Sequence, residues 1–426
     1  MEKPVTFAIC GCGNRGLGAY AAYQNLHPER MKIVAGADSR PERLSMLRER
    51  FGVPEEMCFD SDEALLNHPR LADVMIIATQ DRQHVDEAVR ALDKGYHLLL
   101  EKPISPSLSQ CRRLLEKAHE AKRAVVVCHV LRYTKFYGAL EALLRQGKIG
   151  KLETIDAVEH VGYWHYAHSF IRGNWRRSDE TSPMILAKCC HDMDILRWLA
   201  GEKCLKVQSF GALDYFRPEN APEGAALRCL DGCGCKEACP YDAEKIYFTA
   251  PHSGVRAVGK VWPSIVVTSD PTEENLLAAL RAGPYGRCVF HCDNNVVDHQ
   301  TVNLEFANNI HATFTMTAFT ELCRRTIKVT GTLGEIEGDM EENTLFLRRF
   351  GQPEEVIRLD AGADQLGHGG GDSGLMEQLC ELISGGGTEG LTGIDVSVES
   401  HVMALAAEAS RLAGGKVISL AEFEGE

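Results

Sequence analysis

The sequence lacks any apolar run that approaches the roughly 18 residues needed to span a bilayer, which argues against a membrane protein. It also lacks an excess of basic residues, because 46 lysines and arginines stand against 60 aspartates and glutamates and give a formal net charge of −14. An acidic chain repels phosphate backbones and anionic lipids, so nucleic acids and membranes are poor candidate partners. No signal-peptide pattern precedes the first strand-like run, and there is no internal repeat or low-complexity tail.

What the chain does contain is typical of a soluble globular protein, with 44% hydrophobic and 25% charged residues among 426. At roughly 100–200 residues per domain, this length predicts two or three domains. Its sixteen cysteines are interpreted as reduced thiols, because no export signal accompanies them. Together these features predict a cytoplasmic enzyme.

Short apolar runs alternate with helical patterns over residues 1–128. Such runs are typical of strands buried on both faces of a parallel sheet. Strand–helix alternation at this spacing predicts an α/β domain built on a doubly wound parallel sheet. The predicted strands are 5–10, 32–37, 74–78, 97–100 and 124–127, and the clearest helices are 86–94 and 108–121.

Residues 129–426 have a different pattern, which predicts an α+β domain. The segment 211–290 is rich in glycine, proline and cysteine and is interpreted as an insertion. A glycine-rich run at 367–371 precedes the last two helices. The predicted helices are 134–146, 182–199, 375–383 and 396–412, and the predicted strands lie at 153–162, 296–317, 325–330 and 343–349.

Residues 11–16, Gly-Cys-Gly-Asn-Arg-Gly, fit the G-x-G-x-x-G fingerprint. They directly follow the first predicted strand and open a helical pattern. In that context the glycines let a pyrophosphate approach the N-terminus of the helix. A glycine turn in another kind of α/β domain is the alternative. The predicted dinucleotide-binding residues of this loop are Gly11, Gly13, Asn14, Arg15 and Gly16.

Asp38 ends the second predicted strand. A carboxylate there accepts hydrogen bonds from the ribose hydroxyls of NAD and repels the 2′-phosphate of NADP. Arg40 works in the opposite direction, since its guanidinium could bind that phosphate. We predict NAD rather than NADP, with Asp38, Ser39 and Arg40 at the adenosine ribose.

Glu101-Lys102-Pro103 follows the strand 97–100. Because α/β sheets bind ligands at the carboxyl ends of their strands, Lys102 is expected to project towards the nicotinamide. The proline after it could fix the lysine through a cis peptide bond. An exposed, solvated lysine at a strand end is the alternative.

With these motifs the sequence resembles the glucose–fructose oxidoreductase, inositol dehydrogenase and MocA family, called Gfo/Idh/MocA. The resemblance covers nearly the whole chain, although the family often has proline where Gln80 stands. The motifs that carry it are Ala-Thr-Gln-Asp-Arg-Gln-His at 78–84, Glu-Lys-Pro at 101–103, His-Val-Leu-Arg-Tyr at 129–133, Asn-Trp-Arg at 174–176, Cys-His-Asp-Met-Asp at 190–194 and Ser-His at 400–401.

The resemblance implies a Rossmann domain followed by a domain with an open-faced, largely antiparallel sheet. It implies sugars, cyclitols or their glycosides as substrates, and it places the family's catalytic lysine at Lys102 and its histidine at His191. Beyond the Gly-rich loop, the cofactor-binding positions would be Thr79, Gln80, His84, Glu101, Lys102, Arg132, Trp175 and Arg176. The substrate-binding positions would be Tyr163, His165, Asn174 and Asp194.

His191 also suits a general base on chemical grounds, because oxidation of a secondary alcohol needs a group that titrates near the working pH. Lys102 would stabilise the negative charge that develops on the oxygen. The family usually has an aspartate four residues before this histidine, where the chain has Ala187. Lys188 is expected to lie near His191 on the same helical face, to lower its pKa and to assist catalysis. Asp194 could orient the ring.

Cys229, Cys233, Cys235 and Cys239 lie within eleven residues. Four thiols so close together predict a structural zinc site or, less often, an iron–sulfur cluster. The spacing is not the usual C-x2-C, so free thiols in an irregular insertion are the alternative.

The sequence therefore predicts an NAD-dependent oxidoreductase that acts on a secondary hydroxyl of a carbohydrate and forms a homo-oligomer, either a dimer or a tetramer. One alternative is a glycosidase that uses tightly bound NAD in an oxidation, elimination and reduction cycle. A silent NAD-binding regulator is another, disfavoured because both Lys102 and His191 are present.

Overall fold

The computed structural model describes residues 3–360 and 366–425. Its first half is built on a six-stranded, fully parallel sheet in the order β3-β2-β1-β4-β5-β6. The order reverses between β1 and β4, where doubly wound sheets bind their ligands. These strands are Val5–Cys10 (β1), Met31–Ala37 (β2), Cys58–Phe59 (β3), Val74–Ile77 (β4), His97–Leu100 (β5) and Val125–Val127 (β6).

Helices cover the parallel sheet, and the predicted alternation of strands and helices is confirmed. The turn after β1, Asn14–Ala21, is π-helical. The helices that follow are Tyr23–Leu26 (α1), Pro41–Phe51 (α2), Asp62–Asn67 (α3), His84–Asp93 (α4) and Leu108–Ala121 (α5).

The second half contains a nine-stranded mixed sheet in the order β14-β13-β12-β11-β7-β10-β9-β8-β15. Neighbouring strands are antiparallel except β7 and β10, which run parallel. Burial alternates along β9 and β10, so one face of the sheet is covered and the other is open. The strands are Leu152–His160 (β7), Cys204–Ala212 (β8), His299–Phe306 (β9), His311–Thr317 (β10), Arg324–Gly331 (β11), Gly334–Asp339 (β12), Thr344–Arg349 (β13), Glu355–Arg358 (β14) and Ile418–Ser419 (β15).

Ten further α-helices accompany this sheet among the described residues. No helix in those ranges combines the length and the apolarity that a membrane span requires. The helices are Lys135–Arg145 (α6), Tyr163–Tyr166 (α7), Met184–Ala187 (α8), Cys190–Ala200 (α9), Val255–Val258 (α10), Ser264–Val267 (α11), Glu273–Ala282 (α12), Gly371–Ser384 (α13), Ile394–Leu412 (α14) and Leu420–Gly425 (α15).

The chain returns to its first half near its end. Leu375, Met376 and Leu379 of α13 are buried in the same apolar core as Phe7 of β1. Thr392, just before α14, accepts a backbone hydrogen bond from Val127 through its carbonyl oxygen at 2.9 Å. Residues far from 1–128 in sequence therefore complete the packing of the Rossmann sheet.

The predicted helix 182–199 is the clearest difference from the sequence-based expectation. The structure divides it into α8 and α9, with Lys188 and Cys189 in the turn between them. The apolar pattern continues through the break because Ile185, Leu186 and Cys189 are all buried. Periodicity alone therefore could not show where the first helix ends.

Candidate active site

The Gly-rich loop lies between β1 and the helical turn Asn14–Ala21. Gly11 has a φ of 90°, and a Cβ there would come within 2.5 Å of the Ala78 carbonyl oxygen. A side chain at Gly16 would collide with the Gly11 carbonyl. Gly13 differs, because the nearest atom to a Cβ there is Arg43 Nη1 at 3.5 Å, which leaves its outer side open. The tight turn and open side fit the pyrophosphate of a dinucleotide.

Asp38, at the end of β2, is buried beneath this loop. Its carboxylate accepts hydrogen bonds from the Cys12 N–H at 2.9 Å and the Arg40 N–H at 2.9 Å, and Arg43 Nη1 lies 3.0 Å away. The carboxylate thus ties the fingerprint loop to β2, while the predicted neighbours Ser39 and Arg40 are exposed. Sequence reasoning missed Arg43, whose position in α2 carries no motif.

Arg15 and Glu101 form the centre of a buried charge network. Arg15 Nε lies 2.6 Å from Glu101 Oε1, and its Nη2 lies 2.7 Å from Asp372 Oδ1. The Tyr20 hydroxyl also donates to Glu101. Burial raises the pKa of Glu101, but the charges of Arg15 and Lys102 outweigh burial and hold it below its usual value. Both residues were predicted at the cofactor, and the structure places them together behind the Gly-rich loop.

Lys102 lies just beyond the carboxyl end of β5 and reaches the second half of the molecule. Its Nζ donates to the Ala187 carbonyl at 2.8 Å, at the end of α8. The peptide bond to Pro103 is cis, as predicted. His84 Nδ1 donates to the Pro103 carbonyl at 2.7 Å and so fixes the segment that follows the lysine.

The loop after β4 positions the remaining predicted cofactor residues of the first half. Thr79 Oγ1 donates to Glu87 at 2.7 Å, and its carbonyl lies 3.3 Å from His84 Nε2. Gln80 is exposed at the surface of the same loop. His84 is buried, and its ring lies between the carbonyls of Pro103 and Thr79, so it holds the loop in place.

His191 lies in the first turn of α9 and is buried. Within residues 3–360 and 366–425, its Nδ1 has no hydrogen-bond partner. Burial, and then the charge of Lys102, hold the pKa of His191 well below its ordinary value. The imidazole is therefore neutral and has a free nitrogen, as a general base requires.

His368 is a site residue that sequence reasoning did not single out. Its ring centroid lies 5.9 Å from that of His191, and its Nδ1 lies 3.2 Å from Asp372 Oδ2. His368 has a φ of 54°, a left-handed conformation that is uncommon outside glycine. The glycine-rich run 367–371 was the signal in the sequence that could have pointed to His368. A non-glycine residue in such a run can adopt a strained backbone conformation, and strained positions are often functional.

Lys188 belongs to an ion-pair network that was not predicted from the sequence. Its Nζ lies 3.2 Å from Glu159 Oε1, and the other oxygen of Glu159 is 2.6 Å from Arg325 Nη2. Arg325 Nε in turn lies 2.8 Å from Asp192 Oδ1. Because α8 ends at Ala187, Lys188 does not share a helical face with His191, and the expectation based on helical spacing is wrong.

Arg132 and Asp194 form a buried bidentate ion pair. Arg132 Nε and Nη2 each lie 2.7 Å from an oxygen of Asp194, and Asp194 is fully buried. The roles expected for Arg132 at the cofactor, and for Asp194 at the substrate or as the group orienting His191, stay predictions. Their bidentate pair anchors the start of the second half to α9.

His165, in the aromatic segment 163–168, lies near Lys188. Burial and the charge of Lys188 hold the pKa of His165 well below its ordinary value. Its ring centroid is 4.7 Å from that of Trp262 in the insertion. Tyr163 is half-buried and packs edge-on against Tyr241 at 6.0 Å. The insertion thus supplies aromatic surface beside the candidate site.

The Asn174–Arg176 turn contacts the loop that follows β4. Trp175 Nε1 donates to Asp81 Oδ1 at 3.3 Å, and Asp81 also accepts from the Ser182 hydroxyl at 2.6 Å. Arg176 pairs with Asp293 at 2.9 Å, while Asn174 is exposed. The turn therefore lies against the loop that follows β4, and the contact of Trp175 and Arg176 with the cofactor stays a prediction.

The four clustered cysteines do not form a metal site. Cys233 Sγ lies 3.4 Å from Cys235 Sγ, whereas Cys229 Sγ is 3.5 Å from Arg172 Nη2. Over the two described ranges, no group of three or more histidine, cysteine or acidic side chains is arranged to hold a metal ion. The zinc prediction is therefore not supported, and a guanidinium beside Cys229 would repel a cation.

Comparison with known proteins agrees with this architecture. The family model described as an oxidoreductase family with an NAD-binding Rossmann fold matches residues 5–129. The model of the same family's C-terminal alpha/beta domain matches residues 141–413. The chain belongs to the Gfo/Idh/MocA family of oxidoreductases.

Three similar proteins illustrate the range of this Gfo/Idh/MocA relationship. "Putative oxidoreductase YteT" of Bacillus subtilis is 22% identical over 394 residues, which is 87% of each chain. Inositol 2-dehydrogenase of Salmonella paratyphi B is 26% identical over 42% of this chain and 50% of its own length. The crystal structure of an inositol dehydrogenase homologue from Azotobacter vinelandii with NAD+ has a TM-score of 0.70, 15% identity and 98% coverage of both chains.

Proposed function

We propose that this Gfo/Idh/MocA oxidoreductase is an NAD-dependent dehydrogenase that oxidises a secondary hydroxyl of a sugar, cyclitol or glycoside. The observation that carries the proposal is the placement of Lys102 and His191. The amine of Lys102 lies just beyond the carboxyl end of β5, the edge at which such sheets bind ligands. The imidazole of His191 lies within the influence of its charge, and its Nδ1 has no hydrogen-bond partner among the described residues. Similarity to inositol 2-dehydrogenase supports the substrate class.

In the proposed reaction, His191 takes the hydroxyl proton and Lys102 stabilises the oxygen as negative charge develops on it. Hydride acceptance is the chemistry that NAD supplies when it is bound. Burial, and then the positive charge of Lys102, hold the pKa of His191 low and so favour the unprotonated imidazole before the substrate arrives. Proton transfer to His191 then becomes favourable as the oxygen loses electron density to the departing hydride.

Arg15, Asp372 and His368 would act as positioning residues in this reaction. The Arg15–Asp372 pair joins the Gly-rich loop to the segment that carries His368. A cofactor bound at the Gly-rich loop would therefore influence the position of His368 through Arg15 and Asp372. His165 and Tyr163 would contact the substrate, and Trp175 and Arg176 the cofactor.

Product analysis tests the proposed reaction. The protein is incubated with NAD and a panel of cyclitols, aldoses and aryl glycosides, while NADH and released aglycone are followed together. We expect NADH to accumulate with at least one compound in proportion to the ketone formed. Release of aglycone without net NADH would identify the glycosidase cycle instead and would contradict the proposal.

We also propose that NAD is preferred to NADP, because a 2′-phosphate would lie beside the buried carboxylate of Asp38. Titration of both cofactors should show NAD binding tighter by roughly tenfold or more. Asp38→Asn keeps the size of the side chain and should narrow that ratio. Tighter binding of NADP by the unaltered protein would show that Arg40 and Arg43 outweigh Asp38.

We place the enzyme in the cytoplasm as a homo-oligomer. All sixteen cysteines are unpaired thiols, which suits a reducing compartment. The exposed apolar side chains Phe210 on β8 and Val356 on β14 lie on the nine-stranded sheet and would be covered by a second subunit. Light scattering during size-exclusion chromatography should give a dimer or tetramer mass, and a monomer would contradict this part of the proposal.

A further inference from the structure

Four arginines line a surface groove of about 390 Å³ beside the insertion. Arg172 precedes the turn Asn174–Arg176, and Arg176 is its last residue. Arg228 and Arg287 belong to the insertion and are joined by a backbone bridge. We call this feature the arginine groove. None of its arginines, apart from Arg176, belongs to the motifs by which the family was identified.

Two of the four guanidiniums have no carboxylate partner among residues 3–360 and 366–425. Arg172 is almost fully buried and donates to the carbonyls of Arg287 and Tyr241, each at 2.7 Å. Arg228 donates to the carbonyls of Leu280 and Gly283. An unpaired buried charge is costly, and Arg172 is such a charge, whereas Arg228 is half-buried. An anion in the groove would offset the cost of burying Arg172.

Unfilled hydrogen-bond donors remain in the groove after these contacts are made. Arg172 Nη1 and Arg228 Nε are buried and have no hydrogen-bond partner in the described part of the chain. Such groups are rare in folded proteins unless water or a ligand satisfies them. Guanidinium forks match the oxygens of phosphate and carboxylate groups.

The acidic residues near the groove do not neutralise it. Asp293 Oδ1 is shared between Arg176 at 2.9 Å and Arg287 at 2.7 Å. Glu180 is farther from Arg176, at 3.6 Å, and its side chain is 53% exposed. Four positive charges are therefore opposed by two acidic groups, of which one is well solvated.

We propose that the arginine groove is a binding site for a phosphate group, held by Arg172, Arg228 and Arg287. The site is separate from Lys102 and His191, and the inference does not depend on the proposed reaction.

A matched pair of variants tests the site without altering any arginine. Ala282 is exposed, ends α12 and lines the groove. Ala282→Glu adds a carboxylate at the mouth of the groove, whereas Ala282→Gln adds nearly the same shape without charge. Calorimetric titration with inorganic phosphate should give a dissociation constant on the order of 1 mM for the unaltered protein and for Ala282→Gln, and at least ~10-fold weaker binding for Ala282→Glu.

Arg287→Gln should also weaken phosphate binding by ~10-fold, while Arg145→Gln, the same charge change on α6, should leave it unchanged. The melting temperature of each variant shows that it remains folded. Equal phosphate affinity for Ala282→Glu and Ala282→Gln would overturn the proposal. So would the absence of saturable binding to the unaltered protein at about 20 mM phosphate, well above the expected constant.

The source of the phosphate is distinguished by two further titrations. If Ala282→Glu weakens NADP binding and leaves NAD binding unchanged, the groove receives the 2′-phosphate of the cofactor. If it weakens the binding of glucose 6-phosphate instead, the groove receives a phosphorylated sugar. In either case, the phosphate titration decides whether the site exists.

Discussion

The region around Lys102 and the arginine groove both concentrate charge, but they satisfy it differently. Near Lys102, Arg15 is paired with Glu101 at 2.6 Å and with Asp372 at 2.7 Å. In the groove, Arg172 is buried at 1% exposure and has only neutral partners in the described ranges.

This difference distinguishes a charge used to build a site from a charge kept for a ligand. Buried ion pairs that satisfy each other fix geometry, and the loss of one partner leaves the other uncompensated. A buried cation without a carboxylate is instead a functional-site candidate. The following predictions test the paired region against the groove, beginning with the largest expected effect.

The candidate site is surrounded by buried neutral histidines, which should make the protein acid-sensitive. Burial lowers the pKa of His168 and of His401 to about 3 and holds those of His129, His165 and His191 well below their ordinary values. The unfolded chain takes up protons below a pH of about 6.5, whereas the folded chain does not, so stability is lost as the pH falls.

Each such histidine lowers the free energy of unfolding by up to about 1.4 kcal/mol for each unit by which the pH falls. The free energy of unfolding should therefore fall by several kcal/mol between pH 6.5 and pH 5. Urea unfolding at a series of pH values measures this fall in the free energy of unfolding. His168→Gln should reduce the dependence of the free energy of unfolding on pH by about the contribution of one histidine. A free energy of unfolding that stays constant over this range would show that these histidines are not held neutral.

Asp372→Asn should lower the free energy of unfolding by about 3 kcal/mol, because it removes the ion pair between Asp372 and Arg15. The ion pair between Arg15 and Glu101 remains in this variant. Arg287→Gln in the groove should change the free energy of unfolding by less than about 1 kcal/mol, since its partner Asp293 is partly exposed. Chemical unfolding of both variants measures the difference. Equal losses would show that the ion pair in the groove contributes as much to stability as the buried pair near Lys102.

Lys102→Ala should reduce turnover by ~10²-fold or more, the scale expected when a charge that stabilises a developing oxyanion is lost. NAD affinity should change little, because the Gly-rich loop and Asp38 remain. Steady-state kinetics on a verified substrate, with NAD binding measured in the same preparation, separates the two effects. A variant with near-normal turnover would show that Lys102 is only an interdomain contact.

Lys188→Met should have the smallest effect of these substitutions, and it should change the pKa of His191 only slightly. Lys188 is paired with Glu159, and burial followed by Lys102 dominates the lowered pKa of His191. The lower limb of the pH–rate profile should therefore move by less than about 0.5 pH units. A larger movement to higher pH would mean that Lys188, rather than Lys102, keeps His191 neutral.

The Rossmann half could be predicted from the sequence, because buried parallel strands leave continuous apolar runs and the Gly-rich loop needs glycines at fixed positions. The strand Val5–Cys10 and the helix Leu108–Ala121 lie where the pattern predicted them. Local pattern is sufficient where each element is specified by its own residues.

Several features of the site depend on contacts that no local pattern encodes. Arg132 and Asp194 are 62 positions apart and pair directly, a contact that neither residue's local sequence reveals. Asp372 reaches Arg15 over 357 positions. The break between α8 and α9 is hidden because both sides of it are apolar and buried.

The most direct test of the catalytic assignment is His191→Ala, assayed for turnover and NAD binding in the same preparation. Loss of general-base catalysis predicts ~10²–10⁴-fold lower turnover with NAD affinity nearly unchanged. It also predicts that the lower limb of the pH–rate profile disappears. Near-normal turnover with that limb intact would contradict the assignment of His191 as the base.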